Sequence, residues 1–229
     1  MTLQEAIPVR HSVRKYIDKP LPAEVVALLR AEIDKLNSAS GLRMQLVTNE
    51  PKAFTGLLSY GKFSGVTNYV VVAGPKSDSL DQTAGYYGEQ LVLYAQTLGL
   101  NSCWVGLTYR KIPGTYELGP DDKIVCYIAL GYGRTQGNSH KTKTVEQLGN
   151  VGPDTPAWFA AGVEAARLAP TAINQQKFHF TYLAPASAGE KAKVVATPGR
   201  SLAGYVQTDL GIARCHFELG AGKENFDWA

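Results

Sequence analysis

The feature that most constrains this chain is a faint internal repeat. Leu29 to Ser40, followed by the alternating run Leu42–Thr48, parallels Ala160 to Thr171 followed by Phe178–Leu183. Gly85-Tyr86-Tyr87, a helical stretch and Leu98-Gly99-Leu100 likewise parallel Gly204-Tyr205-Val206, a second helical stretch and Leu219-Gly220-Ala221. Helix–loop–strand units can resemble one another by chance. Here order, spacing and the Gly-Tyr start agree, which favours duplication. The expected architecture is therefore α+β, with two unequal tandem copies, residues 1–150 and 151–229, sharing one core.

Element signals fill in this outline. Prolines 20 and 22 precede a helix whose apolar stripe is Val25, Leu28, Leu29, Ile33 and Leu36. Asn68–Ala73 is a β-branched run stopped by Gly74-Pro75, the pattern of a buried strand. Tyr86–Leu98 has helical periodicity and ends at Gly99. Strands are expected near Ser102–Gly106 and Lys123–Gly131, and Tyr132–Asn150 reads as one long polar loop. In the second part the pattern predicts a helix over Trp158–Leu168, strands over Phe178–Leu183 and Lys193–Ala196, and a helix over Tyr205–Leu219.

Composition narrows the function classes. With 229 residues and 45% apolar content the chain can bury a full core. Neither an apolar run of membrane-spanning length (about 18–20 residues) nor a secretory h-region stands out. A net charge of +3 is too small to suggest nucleic acid as the main partner. Three separated cysteines, with no C-x-x-C, argue against a disulfide framework and a zinc site, and the four histidines show no metal spacing. These counts suit a cytoplasmic protein. The charge excess lies wholly in residues 1–150, so an anion site is expected mainly there.

Three segments carry chemistry. Arg10-His11-Ser12-Val13-Arg14-Lys15 gathers cations, an imidazole and a hydroxyl able to surround a phosphate, or else is a solvated basic stretch. Ala169 to Phe180 presents Asn174 and Gln176 at alternate positions, suited to a ligand edge with mixed donors and acceptors; the plainer reading is a polar helix-to-strand turn. Ser139-His140-Lys141-Thr142-Lys143 puts two lysines on one side of an extended chain, able to hold a phosphate or to face solvent.

Taken together, these segments resemble the FMN-dependent nitroreductase family. R-H-S-V-R-K-Y is similar to its R-x-S-x-[KR]-x-[FY] motif, and A-P-T-A-I-N-Q-Q-K-F to its A-P-S-x-x-N-x-Q-P-W loop. L-G-L-N-S-C-W-V-G resembles its L-G-L-G-x-x-W-x-G turn, and Leu130-Gly131-Tyr132-Gly133 with the later Lys141-Thr142-Lys143 its L-G-Y-P and K-x-[KR]. The order departs from the family. The A-P-S-like loop stands in the second part, whereas the expected place after the first helix holds Asn37 to Gln45 without an Asn-x-Gln pair. The second part in turn lacks a cation before its own helix.

The resemblance implies a nitroreductase-like fold and, since family members are homodimers with FMN between subunits, an intramolecular pseudo-dimer that keeps one flavin site and acts as a monomer. It is similar in this to the tandem subgroup of the family. It further implies that Arg10, Ser12, Lys141 and Lys143 hold the FMN phosphate with His11 adjacent, and that Arg14 lies near the pyrimidine edge. Backbone N–H of Val105 or Gly106 would meet flavin N5. Pro170, Thr171, Ala172 and Asn174 would line the ring and ribityl chain, with Gln176 supporting them. The implied reaction passes a hydride from NADH or NADPH through the flavin to a small electron acceptor such as a nitroaromatic or quinone, with no catalytic side chain and no metal. Tyr60, Phe63 and Tyr109 are candidate aromatic walls. Alternative readings are an FMN storage or sensing protein, or a flavin dehalogenase or dehydrogenase.

Overall fold

The computed structural model describes residues 1–55, 62–187, 189–201 and 204–229; Tyr60 lies outside them. The β-branched run forms β2 (Asn68–Pro75), buried from Asn68 to Gly74. Its side chains divide by alternation. Val70 and Val72 face one core layer with α2 (Ala23–Ser40) and α3 (Leu80–Thr97), while Tyr69, Val71 and Ala73 face another with Val13, Tyr16 and Phe54. β2 lies between β1 (Gln45–Val47) and β4 (Asp122–Gly131), with β3 (Asn101–Val105) on the far side of β4, all antiparallel.

The second sheet joins β5 (Phe178–Leu183) to β6 (Ala192–Pro198) antiparallel, and β6 to β7 (Phe226–Trp228) parallel. Its core is aromatic. Phe180 and Phe217 stack at 4.5 Å, and Phe159 and Phe226 pack beside Phe217. Because β2 and β3 are each antiparallel to β4, they run parallel to one another, as β6 and β7 do. Among the described residues the second sheet has no strand corresponding to β4.

Four expectations need correcting. Leu28 is 45% exposed, so the stripe of α2 is narrower than its spacing suggests. α3 begins at Leu80 rather than Tyr86, so that Gln82 and Thr83 lie in the helix that crosses α6 (Val206–Ala221). The chain also forms α1 (Leu3–Ala6), α4 (Val145–Leu148) and β7, elements too short for periodicity to reveal; capping boxes at Thr2/Glu5 and Thr144/Gln147 set the two helices. α4 sits inside the expected loop, and its Leu148 packs in the second core.

The fourth correction concerns the register of the repeat. A Cβ on Gly85 would stand 2.0 Å from the Thr208 carbonyl oxygen, and one on Gly211 2.0 Å from that of Gln82. The backbones of α3 and α6 thus touch reciprocally, each glycine at the same place in its helix. Gly85 and Gly211 thus hold the same place in α3 and α6, whereas Gly204, which the expected repeat set against Gly85, precedes α6. α5 (Ala157–Ala166) lies against the outer side of α6, where Gly162 meets the Phe217 ring.

Candidate functional site

Residues 12–16 run as an extra strip, first beside β3 and then beside Ser64. The Val13 N–H donates to Ser102 O at 2.9 Å and the Tyr16 N–H to Ser64 O at 2.9 Å. Val13 and Tyr16 turn into the core, which leaves Ser12 and Arg14 facing a cleft.

Across that cleft stands the loop following α5. Its backbone has positive φ at Ile173 (48°), Asn174 (56°) and Gln176 (45°). Polar contacts impose this shape. Gln176 donates through Nε2 to Lys141 O (2.8 Å) and Asn174 Oδ1 (2.9 Å), and accepts the Lys143 N–H at 2.9 Å. Asn174 Nδ2 also donates to Lys141 O at 2.9 Å. On the other side Asp209 accepts from the Ala172 N–H at 2.9 Å and from Gln175 Nε2 at 2.7 Å, and Gln175 accepts from Ser201 Oγ.

Strip and loop enclose two cavities, of about 620 and 380 Å³, which share Ser12, Arg14, Pro170, Thr171 and Ile173 as walls. The larger is walled by Val105 and Gly106 at the end of β3, by Phe63, and by Tyr205, Thr208 and Ile212 from α6. Gly106 is required there, since a Cβ would stand 2.5 Å from the Tyr205 ring. The smaller is basic, with Arg10, Arg14, Lys15 and His140 on its walls.

Beneath the basic cavity lies a buried polar network. Glu89, fully buried on α3, accepts from Trp104 Nε1 (2.8 Å), is bonded to His216 Nε2 (2.9 Å), and stands 3.6 Å from Arg10 Nε. Arg10 also donates to Leu168 O at 3.4 Å. Arg10 Nε and His140 Nε2 are buried without a hydrogen bond, Arg10 Nε lying within ion-pair range of Glu89 instead. Burial holds Arg10 below its ordinary value, opposed by Glu89. Burial, with the nearby Arg10 charge, lowers both His11 and His140, so each imidazole is held toward its neutral form.

Of the expected site residues, the structure brings together Arg10, Ser12, Arg14, Val105, Gly106, Pro170, Thr171, Ala172 and Asn174 on these walls. Gln176 lies behind them, 3% exposed. Lys141, Lys143 and His11 line neither cavity. The Lys141 side chain is exposed, and the Lys143 ammonium donates to Gln176 O at 2.6 Å, drawn to the carbonyls of the loop. Phe63 lines the larger cavity, whereas Tyr109 stacks on Tyr127 at 3.8 Å. Asp209, Tyr205 and Glu89 were not among the expected residues, because nothing local marks them until α3 and α6 cross.

A hollow of about 370 Å³ occupies the mirrored position. Ser79, Gln82, Thr83 and Tyr86 line it at the places in α3 that Tyr205, Thr208, Asp209 and Ile212 hold in and before α6. Larger groups crowd it: Arg214 lies 4.2 Å over the Trp228 ring, and Glu218 accepts from Tyr86 and Trp228. Among the described residues no cluster of His, Cys, Asp or Glu is arranged to hold a metal, and no helix is long and apolar enough to cross a membrane.

This α+β fold is shared by known structures. A "putative nitroreductase" from Thermotoga maritima is 24% identical, with a TM-score of 0.65, covering 98% of this chain and 85% of that one. A "putative nitroreductase in complex with FMN" from Desulfovibrio desulfuricans is 20% identical at a TM-score of 0.50 (68% and 98% covered), and a nitroreductase family protein from Clostridium difficile 17% identical at 0.50 (68% and 100%). At these identities the likeness is one of fold. Residues 2–221 match the sequence family described as "Putative TM nitroreductase", and the chain belongs to that family of nitroreductase-like oxidoreductases. No curated protein sequence matches the chain.

Proposed function

We propose that the joined cavities bind one FMN and that the protein is an NAD(P)H-dependent flavin oxidoreductase. The observation that carries this reading is the union of an apolar cavity, large enough for a fused ring system, with a basic one walled by Arg10, Arg14 and Lys15. When bound, FMN supplies two-electron transfer through N5 between NADH or NADPH and a small acceptor such as a nitroaromatic or quinone. Arg10 and Ser12 provide donors for the phosphate, with His11 next to them in sequence and His140 on the same wall, and Arg14 places a cation at the junction where the pyrimidine edge would lie. Backbone N–H groups at Val105 and Gly106 face the ring, while Pro170, Thr171, Ala172 and Asn174 form the opposite wall. Lys141 and Lys143 act through that wall, by the carbonyl of one and the ammonium of the other. Exposed Leu107 and Ile173 rim the opening and favour an apolar, planar acceptor.

Two tandem copies, residues 1–150 and 151–229, account for the reciprocal glycine contact and the mirrored hollow. In this reading the crowding by Arg214 and Trp228 closes the second site, and one chain suffices for function, in the cytoplasm. The purified protein should be yellow and should bleach anaerobically on addition of NADH or NADPH. A protein that stays colourless after incubation with FMN refutes the reading, and a yellow protein that neither nicotinamide bleaches leaves storage or sensing in its place.

A further inference from the structure

Asp209 is an acid in the first turn of α6, 3% exposed, on the wall of the larger cavity. Its bonded partners are two neutral donors, both from the loop opposite: the Ala172 N–H and the Gln175 side-chain amide. That loop holds three non-glycine residues at positive φ, one of them the β-branched Ile173. A β-branched residue has little natural population in that region. The Ile173 side chain is 85% exposed, so packing does not hold it there.

Polar contacts must therefore impose the shape, and Asp209 is the one that reaches the loop from α6. We infer that Asp209 is a positioning residue: its carboxylate clasps the strained loop 170–176 against α6 and so sets the wall that a ligand in the cleft meets. This rests on the flavin reading above only for the identity of that ligand.

The chemistry of the clasp gives it a pH signature. Burial pushes the Asp209 carboxyl up to about 6, against the two hydrogen bonds, which pull it down. The charged and titratable groups that share the cavity are Arg14 from the N-terminal strip, Lys62, Cys126 from β4 and Tyr205 before α6; His140 and Lys15 lie in the adjoining one. A carboxyl raised in the folded state favours folding when protonated. Its contribution to global stability is full below the ordinary value of 3.8 and is lost as pH rises through about 6. The loop's two hydrogen bonds are what pull the carboxyl down, so a loop lifted while α6 still shields Asp209 from water prefers the protonated acid. The loop therefore responds in the opposite sense. A protonated Asp209 turns one oxygen into a donor facing groups that are themselves donors, and one of the two clasping bonds is lost. Acidification through that range thus favours the fold through this residue while loosening the loop.

Two variants test this. Asp209→Asn keeps the shape and removes the charge; Gln175→Ala leaves Asp209 in place and removes one partner. Amide-exchange protection of residues 170–176 in ligand-free protein, and FMN affinity by fluorescence quenching, are read at about pH 7.5 and about pH 5. Wild type should lose about tenfold in both on acidification, the size expected for one hydrogen bond to a charged group. Asp209→Asn should be low at both pH values with an undiminished urea midpoint at the higher one, and Gln175→Ala should fall between. Protection unchanged in both variants overturns the clasp. So does a pH dependence that survives in Asp209→Asn, which would place it on His11 or His140. If the loop follows Asp209 but wild type takes up no FMN at any pH, the clasp stands and the flavin reading fails.

Discussion

Glu89 shows how one residue can bind two halves of a chain. It stands on α3, yet its carboxylate meets Trp104 on β3, His216 on α6 and the approach of Arg10 from the N-terminal strip. Each neighbour is mostly or wholly buried, so removing the acid strands Arg10 without compensating charge and leaves the indole N–H unbonded. Glu89→Ala should cost about 3–5 kcal/mol of unfolding free energy, the usual penalty for breaking a buried ion pair. Denaturant titration reads this directly, and a loss within the error of the method would show the network to be dispensable. Arg10 makes the same point from the ligand's side. A guanidinium held by a buried acid is fixed in place before any anion arrives.

At the scale of elements, the crossing of α3 and α6 depends on two missing methyl groups. Gly85→Ala or Gly211→Ala would raise helix propensity by ~1 kcal/mol in isolation. Here the added carbon meets a carbonyl oxygen at 2.0 Å, so the helices must separate. Overpacking of this kind costs about 1–3 kcal/mol. Each variant should therefore be destabilised in chemical denaturation, opposite in sign to its propensity, and a stabilised variant would mean that the backbones do not touch there.

The same crossing explains what the amino-acid sequence revealed and what it hid. Arg10 to Lys15 and Ala169 to Gln176 were legible because the chemistry of each lies within a few consecutive residues. β2 was legible because a strand buried on both faces is apolar throughout. Asp209 and Glu89 acquire their roles from partners distant in sequence, 37 and 127 positions away at Ala172 and His216, and no local pattern marks them. The expected repeat set Gly85-Tyr86 against Gly204-Tyr205 because they share letters, while it is Gly85 and Gly211 that share a place in their helices. Lys143 shows a further limit: its spacing was compatible with phosphate, but a nearer carbonyl on Gln176 takes its ammonium.

For the molecule as a whole, the two cavities and the crowded hollow differ in what they admit. Titration with FMN should end at one equivalent per chain, with Arg10→Ala and Asn174→Ala weakening that same equivalent. Sizing at micromolar concentration should give a single-chain particle. A second equivalent, or a dimer that exchanges flavin between chains, would refute the one-site arrangement.

The reciprocal glycine contact has one more consequence. Where two identical chains meet across such a seam, dilution separates them and every substitution enters both sides at once. Here the seam joins segments of a single chain, so its effective concentration is set by the connecting residues and not by the amount of protein. No dilution opens it. A change on one side of the seam is not copied onto the other, so the two sides can differ: Asp209 lines the larger cavity, whereas Thr83, at the same place in α3, lines the crowded hollow.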